Sequence, residues 1–241
     1  FYTRANMFKN LPSNQLTSII SRVAYPALAQ MQDDKLSLKR GYKKIIKSTM
    51  YVSFILMAGM AAVAEPMVLT LVGEKWRPCV IYLQLLCFIG AMYPLHAINL
   101  NMLNVQGRSD LFLKLEIIKK ILAVPTIIIG IFWGIKVMIF GMWFNNIVAY
   151  YLNSYYSGRH INYPIREQVA DILPSLLLAL TVGTIVALAG WLFPLASFPK
   201  LIVQVLLGGI LVFGLSELFK LKDYLYLKDM VRTNIKTVYN E

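Results

Sequence analysis

Long apolar stretches recur along the whole chain, and this pattern restricts the possible folds more than any other feature. One of them, ILAVPTIIIGIFWG, contains no charged residue. A helix needs roughly 20 mostly apolar residues to cross a bilayer, and only helices and closed barrels satisfy their own backbone groups inside lipid. The stretches are too long and too continuous for the alternating strands of a barrel. The sequence therefore predicts an all-α, polytopic bundle of membrane helices.

Composition and charge agree with this class. Of the 241 residues, 58% are hydrophobic and the mean hydropathy is +0.59, whereas soluble domains are about 45–50% apolar. The net charge of +12 would suggest nucleic acid if the chain were soluble. Because the charges fall between the apolar stretches, membrane topology explains them better. We expect a lipid bilayer as the environment and no nucleic-acid partner.

We predict about seven spans and no separate soluble domain. The spans cover 11–31, 49–72, 80–105, 111–134, 137–157, 172–193 and 201–219, and a basic tail follows at 220–241. The apolar part of the fourth span would measure only about 21 Å, so its helix must reach back through LFLKLEIIKK. The tail is interpreted either as a short interfacial helix or as a solvated end with aromatic and basic anchors.

The distribution of basic residues predicts the orientation. Most of the 24 Lys and Arg lie after the first, third, fifth and seventh spans, and the alternate connections hold only Lys75, Arg77, Lys136 and Lys200. Cytoplasmic loops carry the Lys and Arg excess, so the C-terminus is predicted to be cytoplasmic and the N-terminus outside. Since the chain starts at Phe1 without a signal peptide, we expect a membrane-embedded segment to precede it. A reverse-anchor first span is the alternative.

The first predicted span has a polar face. This face carries Asn14, Thr17, Ser18, Ser21, Arg22 and Tyr25. Their spacing is that of one helix face, which in a membrane must meet other helices or a water-filled cavity. Arg22 lies near mid-span, where a charge marks a pathway or ligand site and a guanidinium suits phosphate or carboxylate. Two alternatives remain: Arg22 is buried and pairs with an acid on a missing helix, or the segment lies at the membrane interface.

The fourth span begins with a charged cluster. Glu116 and Lys120 are four residues apart in the favourable order, and Lys119 lies beside them. These side chains either snorkel to the interface or line the inner mouth of a cavity.

Amides and one histidine form a further set of polar residues within the spans. Asn101 and Asn104 lie in the third span and Asn146 in the fifth. Such amides either line a cavity or tie helices together. His96 is interpreted as a hydrogen-bonded core residue in preference to a proton relay.

The sequence lacks the motifs of common enzymes. It contains no Gly-rich phosphate loop, HExxH or GxSxG, so we expect a membrane transporter and no enzyme. Cys79 and Cys87 have no His or Cys pattern around them. No metal and no cofactor are expected.

Four stretches carry a resemblance to a known family. They read FYTRANMFKNLPSNQLTSIISRVAYPALAQMQDD, RGYKKIIKSTMYV, AEPMVLTLVGEKWRPCV and NVQGRSDLFLKLEIIKKI. In this order they resemble the C-terminal half of Wzx-type polysaccharide biosynthesis flippases. These are lipid-linked oligosaccharide translocases of the multidrug/oligosaccharidyl-lipid/polysaccharide exporter superfamily. The resemblance covers residues 1–123, and beyond them only the hydrophobic spacing matches.

The resemblance implies a function. It implies the second lobe of a two-lobed flippase of about 12–14 spans, truncated here, in the bacterial inner membrane. The substrate would be an undecaprenyl-diphosphate-linked oligosaccharide, moved to the outer leaflet for surface polysaccharide or lipopolysaccharide synthesis. Arg22 would meet the diphosphate, with Lys119 and Lys120 behind it. Implied partners are a first lobe and polysaccharide assembly proteins. The alternatives are a cation-coupled drug or small-molecule antiporter, with Glu65 as its acid, and a non-transporting membrane remnant.

Overall fold

The computed structural model of the protein describes residues 1–193, 195–221, 223–226 and 228. Within these residues the chain is almost wholly helical and forms no strand. The long helices are α1 (Tyr2–Ala29), α2 (Lys35–Ala62), α3 (Ala64–Val72), α4 (Cys79–Val105), α5 (Ser109–Trp133), α6 (Ile135–Arg159), α7 (Ile165–Leu192) and α8 (Ser197–Leu218). The predicted all-helical fold class is confirmed.

The helices differ in how apolar they are. Five of those described, α2, α4, α6, α7 and α8, are long and apolar enough to cross a membrane. Helices α1 and α5 are as long, but α1 is rich in polar residues and α5 carries several charges in its first half. The predicted count of seven spans and their orientation therefore stay predictions. Most of the predicted tail at 220–241 lies outside the described residues.

The second predicted span, 49–72, is divided between two helices. Helix α2 ends at Ala62, and α3 begins at Ala64 after a break at Val63. The break has a local cause, because the proline ring at Pro66 excludes the carbonyl four residues earlier and the residue has no N–H to donate. Pro66 thus falls in the first turn of α3, where a proline is tolerated.

The basic residues after the first span lie in a helix and not in a loop. Asp34 caps α2, since its carboxylate accepts a hydrogen bond from the Leu36 backbone N–H at 2.9 Å. Lys39, Lys43 and Lys47 follow at four-residue intervals on one face of α2, and this face meets the acidic start of α7. The closest ion pairs are Lys39–Glu167 at 2.8 Å and Lys43–Asp171 at 2.9 Å. These lysines therefore tie α2 to α7 as well as marking topology.

Helix α4 lies at the centre of the bundle. It packs against α1, α2, α5 and α6, while α2 also packs against α7 and α7 against α8. Helices α5 and α6 form a tight hairpin that turns at Gly134, whose φ of +91° favours glycine. The main core cluster is drawn largely from α2 and α4, and a second cluster joins α2, α7 and α8.

Helix α8 has the inside-out pattern of a membrane helix. Its buried residues are Gln204 and Ser216, at 3% and 0% exposure, whereas Phe213 is 63% exposed. Gln204 Nε2 donates to the Val186 carbonyl at 2.8 Å, and the hydroxyls of Ser216 and Tyr51 lie 2.8 Å apart. Polar groups bonded inside and apolar groups outside are expected where the surrounding medium is lipid. The bundle is therefore that of a multi-pass membrane protein.

Candidate functional site

One face of α1 packs closely on α4. The buried residues of α1 are Ala5, Lys9, Ser13, Ala24 and Leu28. Ser13 Oγ donates to the Lys9 carbonyl at 3.0 Å and lies 3.3 Å from the carbonyl of Gly90 in α4. A Cβ at Gly90 would come within 2.8 Å of Ser13 Oγ, so the close approach requires glycine. This packing fixes which face of α1 points away from the bundle.

The outward face of α1 carries the polar residues predicted from the sequence. Asn14, Arg22 and Tyr25 are exposed, whereas Thr17, Ser18 and Ser21 are partly buried. Within the described residues Arg22 forms no ion pair. The alternative that Arg22 pairs with an acid on a missing helix stays a prediction.

Two further predicted residues lie in α4. Asn101 Nδ2 lies 3.5 Å from Ser21 Oγ, which places this amide beside the polar face of α1. Asn104, three residues further along α4, is partly buried. The structure thus brings Asn101 together with the α1 residues.

A shallow cleft lies at the other end of the α1 polar face. Its volume is about 380 Å³. It is lined by Arg4, Met7, Phe8, Asn10, Leu11, Asn14 and Gln15. The guanidinium of Arg4 also lies 5.0 Å above the Trp76 ring. Arg4 and Asn10 are polar members of this lining, but most of the cleft surface is apolar, so the polar face does not continue unbroken beyond the predicted span 11–31.

Lys9 is a buried cation that sequence reasoning did not identify. It is 2% exposed, and its Nζ lies 3.4 Å from Tyr93 Oη and 4.5 Å from the centre of that ring. The contact is a cation–π interaction combined with a long hydrogen bond. Its spacing of four residues from Ala5 and from Ser13 was the available signal, because all three share the buried face of α1.

The charged cluster of α5 is arranged differently from the sequence pattern. Glu116 pairs with Lys119, whereas the spacing favoured Lys120, which is exposed. Both members of the observed pair are close enough to act electrostatically on His96 of α4. The pair thus faces the bundle, and Lys120 points away from it.

His96 is held between two amides of α6. Its Nε2 lies 2.5 Å from Asn146 Oδ1, and its Nδ1 lies 3.3 Å from Asn153 Nδ2. An amide oxygen accepts and an amide nitrogen donates, so in this arrangement Nε2 donates to Asn146 and Nδ1 accepts from Asn153. This geometry favours the interpretation of Asn146 as a tie between α4 and α6.

Glu65, the acid considered for an antiporter, forms ion pairs at the end of the bundle away from the charged start of α5. Its Oε1 lies 2.6 Å from Arg77 Nη1, and its Oε2 lies 3.7 Å from Lys200 Nζ. The carboxylate is 43% exposed. Two cations already neutralise it, which makes it a poor site for a transported ion.

The described residues contain no group of three His, Cys, Asp or Glu side chains that could hold a metal ion. Cys79 and Cys87 are both buried free thiols. The α1 face offers hydrogen-bonding groups and the guanidinium of Arg22, and Arg4 lies in the neighbouring cleft.

An all-helical, multi-pass membrane bundle with one polar, cation-bearing outer face defines the class of protein. Comparison with known proteins narrows it, because the family described as "Polysaccharide biosynthesis protein" matches residues 1–81. The chain is 32% identical over 120 residues to "Lipopolysaccharide biosynthesis protein WzxC" of Escherichia coli (strain K12), covering 50% of this chain and 24% of that protein. The resemblance to Wzx-type polysaccharide flippases is thus confirmed, with relatives that cover about half of the chain.

Two other relatives match about half of the chain. An "Uncharacterized membrane protein in cps region" of Klebsiella pneumoniae is 31% identical over 123 residues, or 51% of this chain and 25% of that protein. "Teichuronic acid biosynthesis protein TuaB" of Bacillus subtilis (strain 168) is 29% identical over 110 residues, or 46% and 23%. The chain thus matches about a quarter of the length of these relatives. No solved structure matches it.

Proposed function

We propose that this chain takes part in moving a lipid-linked oligosaccharide across a bacterial inner membrane during surface polysaccharide synthesis. The observation that carries the proposal is the exposed polar face of α1, with Arg22 unpaired among the described residues. A mid-span arginine in lipid costs at least about 2.5–3.5 kcal/mol. An aqueous cavity that admits an anionic substrate removes this cost. The similarity to WzxC, named for lipopolysaccharide biosynthesis, supports the substrate class.

The roles follow from the chemistry of the α1 face. Arg22 provides a planar pair of N–H donors for one diphosphate group of an undecaprenyl-linked substrate. Asn14, Ser18 and Tyr25 provide donors and acceptors for sugar hydroxyls. The bundle acts as one lobe, with α1 on the side that faces a first lobe supplied from outside these 241 residues. Rocking of one lobe against the other then gives access from either side of the membrane.

The orientation belongs to the same proposal. The N-terminus lies outside and the C-terminus in the cytoplasm, with α1 and α5 counted among seven spans and α2 with α3 forming one. The excess of Lys and Arg at one end supports this assignment. Lys39, Lys43 and Lys47 of α2 belong to this basic end, although they also form ion pairs with acids.

The test is substitution of Arg22 in the full-length protein, expressed in a strain that lacks its own copy. Losing one charge-assisted contact costs about 1.5–3 kcal/mol, so Arg22→Ala should lower surface glycan export roughly 10- to 100-fold. Arg22→Lys should retain part of the export, because lysine keeps the positive charge. It should not restore export fully, because lysine lacks the planar pair of N–H donors of the guanidinium. The matched control is Arg166→Ala, an exposed arginine at the start of α7. With equal membrane levels of each variant, normal export by Arg22→Ala removes Arg22 from the mechanism.

A further inference from the structure

A polar pocket opens where α4 ends, α5 begins and α6 ends. Its volume is about 490 Å³. It is lined by Gln106, Arg108, Leu111, Tyr156, Arg159 and His160. By contrast, the cleft between α7 and α8 and the groove beside α2 and α4 are lined almost wholly by apolar side chains. The pocket contains none of the residues assigned above to the oligosaccharide substrate.

The walls of the pocket are fixed by local structure. Gln106 caps the C-terminus of α4, and the chain then turns at Gly107, whose φ of +69° favours glycine. Arg108 follows as the N-cap residue of α5. Gln106 Nε2 donates to the Ser157 carbonyl at 2.9 Å, which ties this turn to the end of α6. The two arginine-bearing segments are therefore held side by side.

The pocket carries more positive than negative charge. Arg108 forms a two-pronged pair with Asp110, at 3.1 and 3.2 Å, and this hydrogen bonding holds the pKa of Asp110 below its usual range. Arg159 forms no ion pair with any described carboxylate, and its guanidinium lies 6.0 Å from the centre of the Tyr155 ring. The N-terminus of α5 adds a partial positive charge. One acid thus faces two arginines, so an anion such as a phosphate would be bound favourably.

Exposed tyrosines place the pocket at the depth of lipid headgroups. Tyr151 and Tyr155 lie on the outer face of α6 at 57% and 42% exposure, with their rings stacked 6.4 Å apart. Tyr and Trp concentrate at the membrane–water interface, where the ring meets the headgroup region. Arg159 follows Tyr155 by one helical turn. Leu111 adds an apolar wall on the α5 side, where an acyl chain would leave the pocket.

We propose that this pocket binds the phosphate of an anionic phospholipid, such as phosphatidylglycerol, in the leaflet that contacts the basic end of the bundle. Arg108 and Arg159 bind the phosphate oxygens, and Gln106 and Tyr156 supply neutral hydrogen bonds. Basic pockets between membrane helices bind anionic headgroups in this way. Free inorganic phosphate offers the same chemistry, but the tyrosine pair and Leu111 favour a lipid. The proposal is independent of oligosaccharide transport.

The experiment measures lipid binding by the purified 241-residue chain in detergent, using native mass spectrometry with phosphatidylglycerol and phosphatidylcholine. The pocket variant is R108Q/R159Q. The matched control, K114Q/R166Q, removes the same charge from exposed positions at the same end of the bundle. We expect the pocket variant to lose roughly tenfold or more in phosphatidylglycerol affinity, with the control within about twofold of the wild type. Arg159→Lys should fall between them, because it keeps the charge without the fork.

Two results would overturn the proposal. An equal loss in the pocket variant and the control would show attraction by net charge without a site. Displacement of phosphatidylglycerol by millimolar inorganic phosphate would show that the pocket takes the free ion. Thermal unfolding midpoints of the lipid-free variants verify that each is folded, and Arg159→Lys provides the test if the double variant is not.

Discussion

The turn between α6 and α7 leaves no room for a side chain at Gly158. The Gly158 carbonyl accepts a hydrogen bond from the Tyr163 N–H at 3.0 Å, and Gln168 Nε2 donates to the Tyr163 carbonyl at 3.0 Å. A Cβ at Gly158 would lie 2.1 Å from the Tyr163 oxygen, whereas ordinary contacts begin near 3.4 Å. Tyr163 is fully buried. In Gly158→Ala the turn must therefore open by about 1 Å.

The cost of opening this turn can be worked out from its contacts. Leaving a buried hydrogen bond unmade costs about 1–3 kcal/mol, and overpacking costs a similar amount. Replacing a helical glycine by alanine stabilises the helix by up to about 1 kcal/mol, which offsets part of this cost. We expect Gly158→Ala to lower the free energy of unfolding by about 1–5 kcal/mol. For a chain of this size that lowers the thermal midpoint by roughly 2–20 °C.

The two buried thiols provide the assay for Gly158→Ala. Cys79 and Cys87 are free and buried, so a thiol-reactive dye reports the unfolding of the detergent-solubilised chain on heating. Gly214→Ala is the matched control, because a Cβ added there meets nothing within 4 Å. The control should unfold at or slightly above the wild-type midpoint. If Gly158→Ala unfolds together with Gly214→Ala, the packing argument for this turn is wrong.

The same thermal assay tests two buried polar ties. Tyr42 Oη lies 2.6 Å from Asn99 Oδ1 and 2.9 Å from Ser157 Oγ, so Tyr42→Phe should cost about 1–3 kcal/mol. Tyr151→Phe is the control, because this tyrosine is 57% exposed, and it should not change the thermal midpoint measurably. Equal midpoints for Tyr42→Phe and Tyr151→Phe would show that the Tyr42 hydroxyl does not stabilise the fold. His96→Leu should lower the free energy of unfolding by about 2–5 kcal/mol, because Asn146 and Asn153 of α6 then lose their hydrogen bonds to the ring. His96→Gln should lower it by less, because glutamine keeps a donor and an acceptor at this position. A leucine variant as stable as the glutamine variant would show that the ring's hydrogen bonds contribute little.

The sequence was informative where one local property decides the structure. Long apolar stretches predict helices because backbone groups in lipid must bond within their own segment. Each predicted span overlaps observed helices, although the span 49–72 is divided at Val63 and four others run one or two residues past a helix end. The polar face of α1 follows from helical spacing alone. His96 was correctly interpreted as a hydrogen-bonded residue, although its partners Asn146 and Asn153 are 50 and 57 residues away.

The sequence was less informative where a distant segment decides the structure. Lys39 and Lys43 were assigned to a loop because they are charged, but they extend α2 since Glu167 and Asp171 of α7 neutralise them. Glu116 pairs with Lys119 at a spacing of three residues. Neither contact is visible in local spacing. The basic pocket depends on how the ends of α4 and α6 pack against the start of α5, so no sequence motif predicts it.

The polarity of exposed faces relates the fold to the proposed function. Helix α8 exposes Leu206 and Phe213, at 61% and 63%, and buries Gln204, whereas α1 exposes Arg22 and Asn14 beside apolar residues such as Ile19 and Val23, at 56% and 63%. One medium cannot suit both faces, since lipid penalises an unpaired guanidinium and water penalises a wall of large apolar side chains. Lipid therefore suits the α8 side, and water or polar protein suits the part of the α1 surface around Arg22 and Asn14. A bundle with these two sides is suited to form one wall of a hydrophilic path through a membrane.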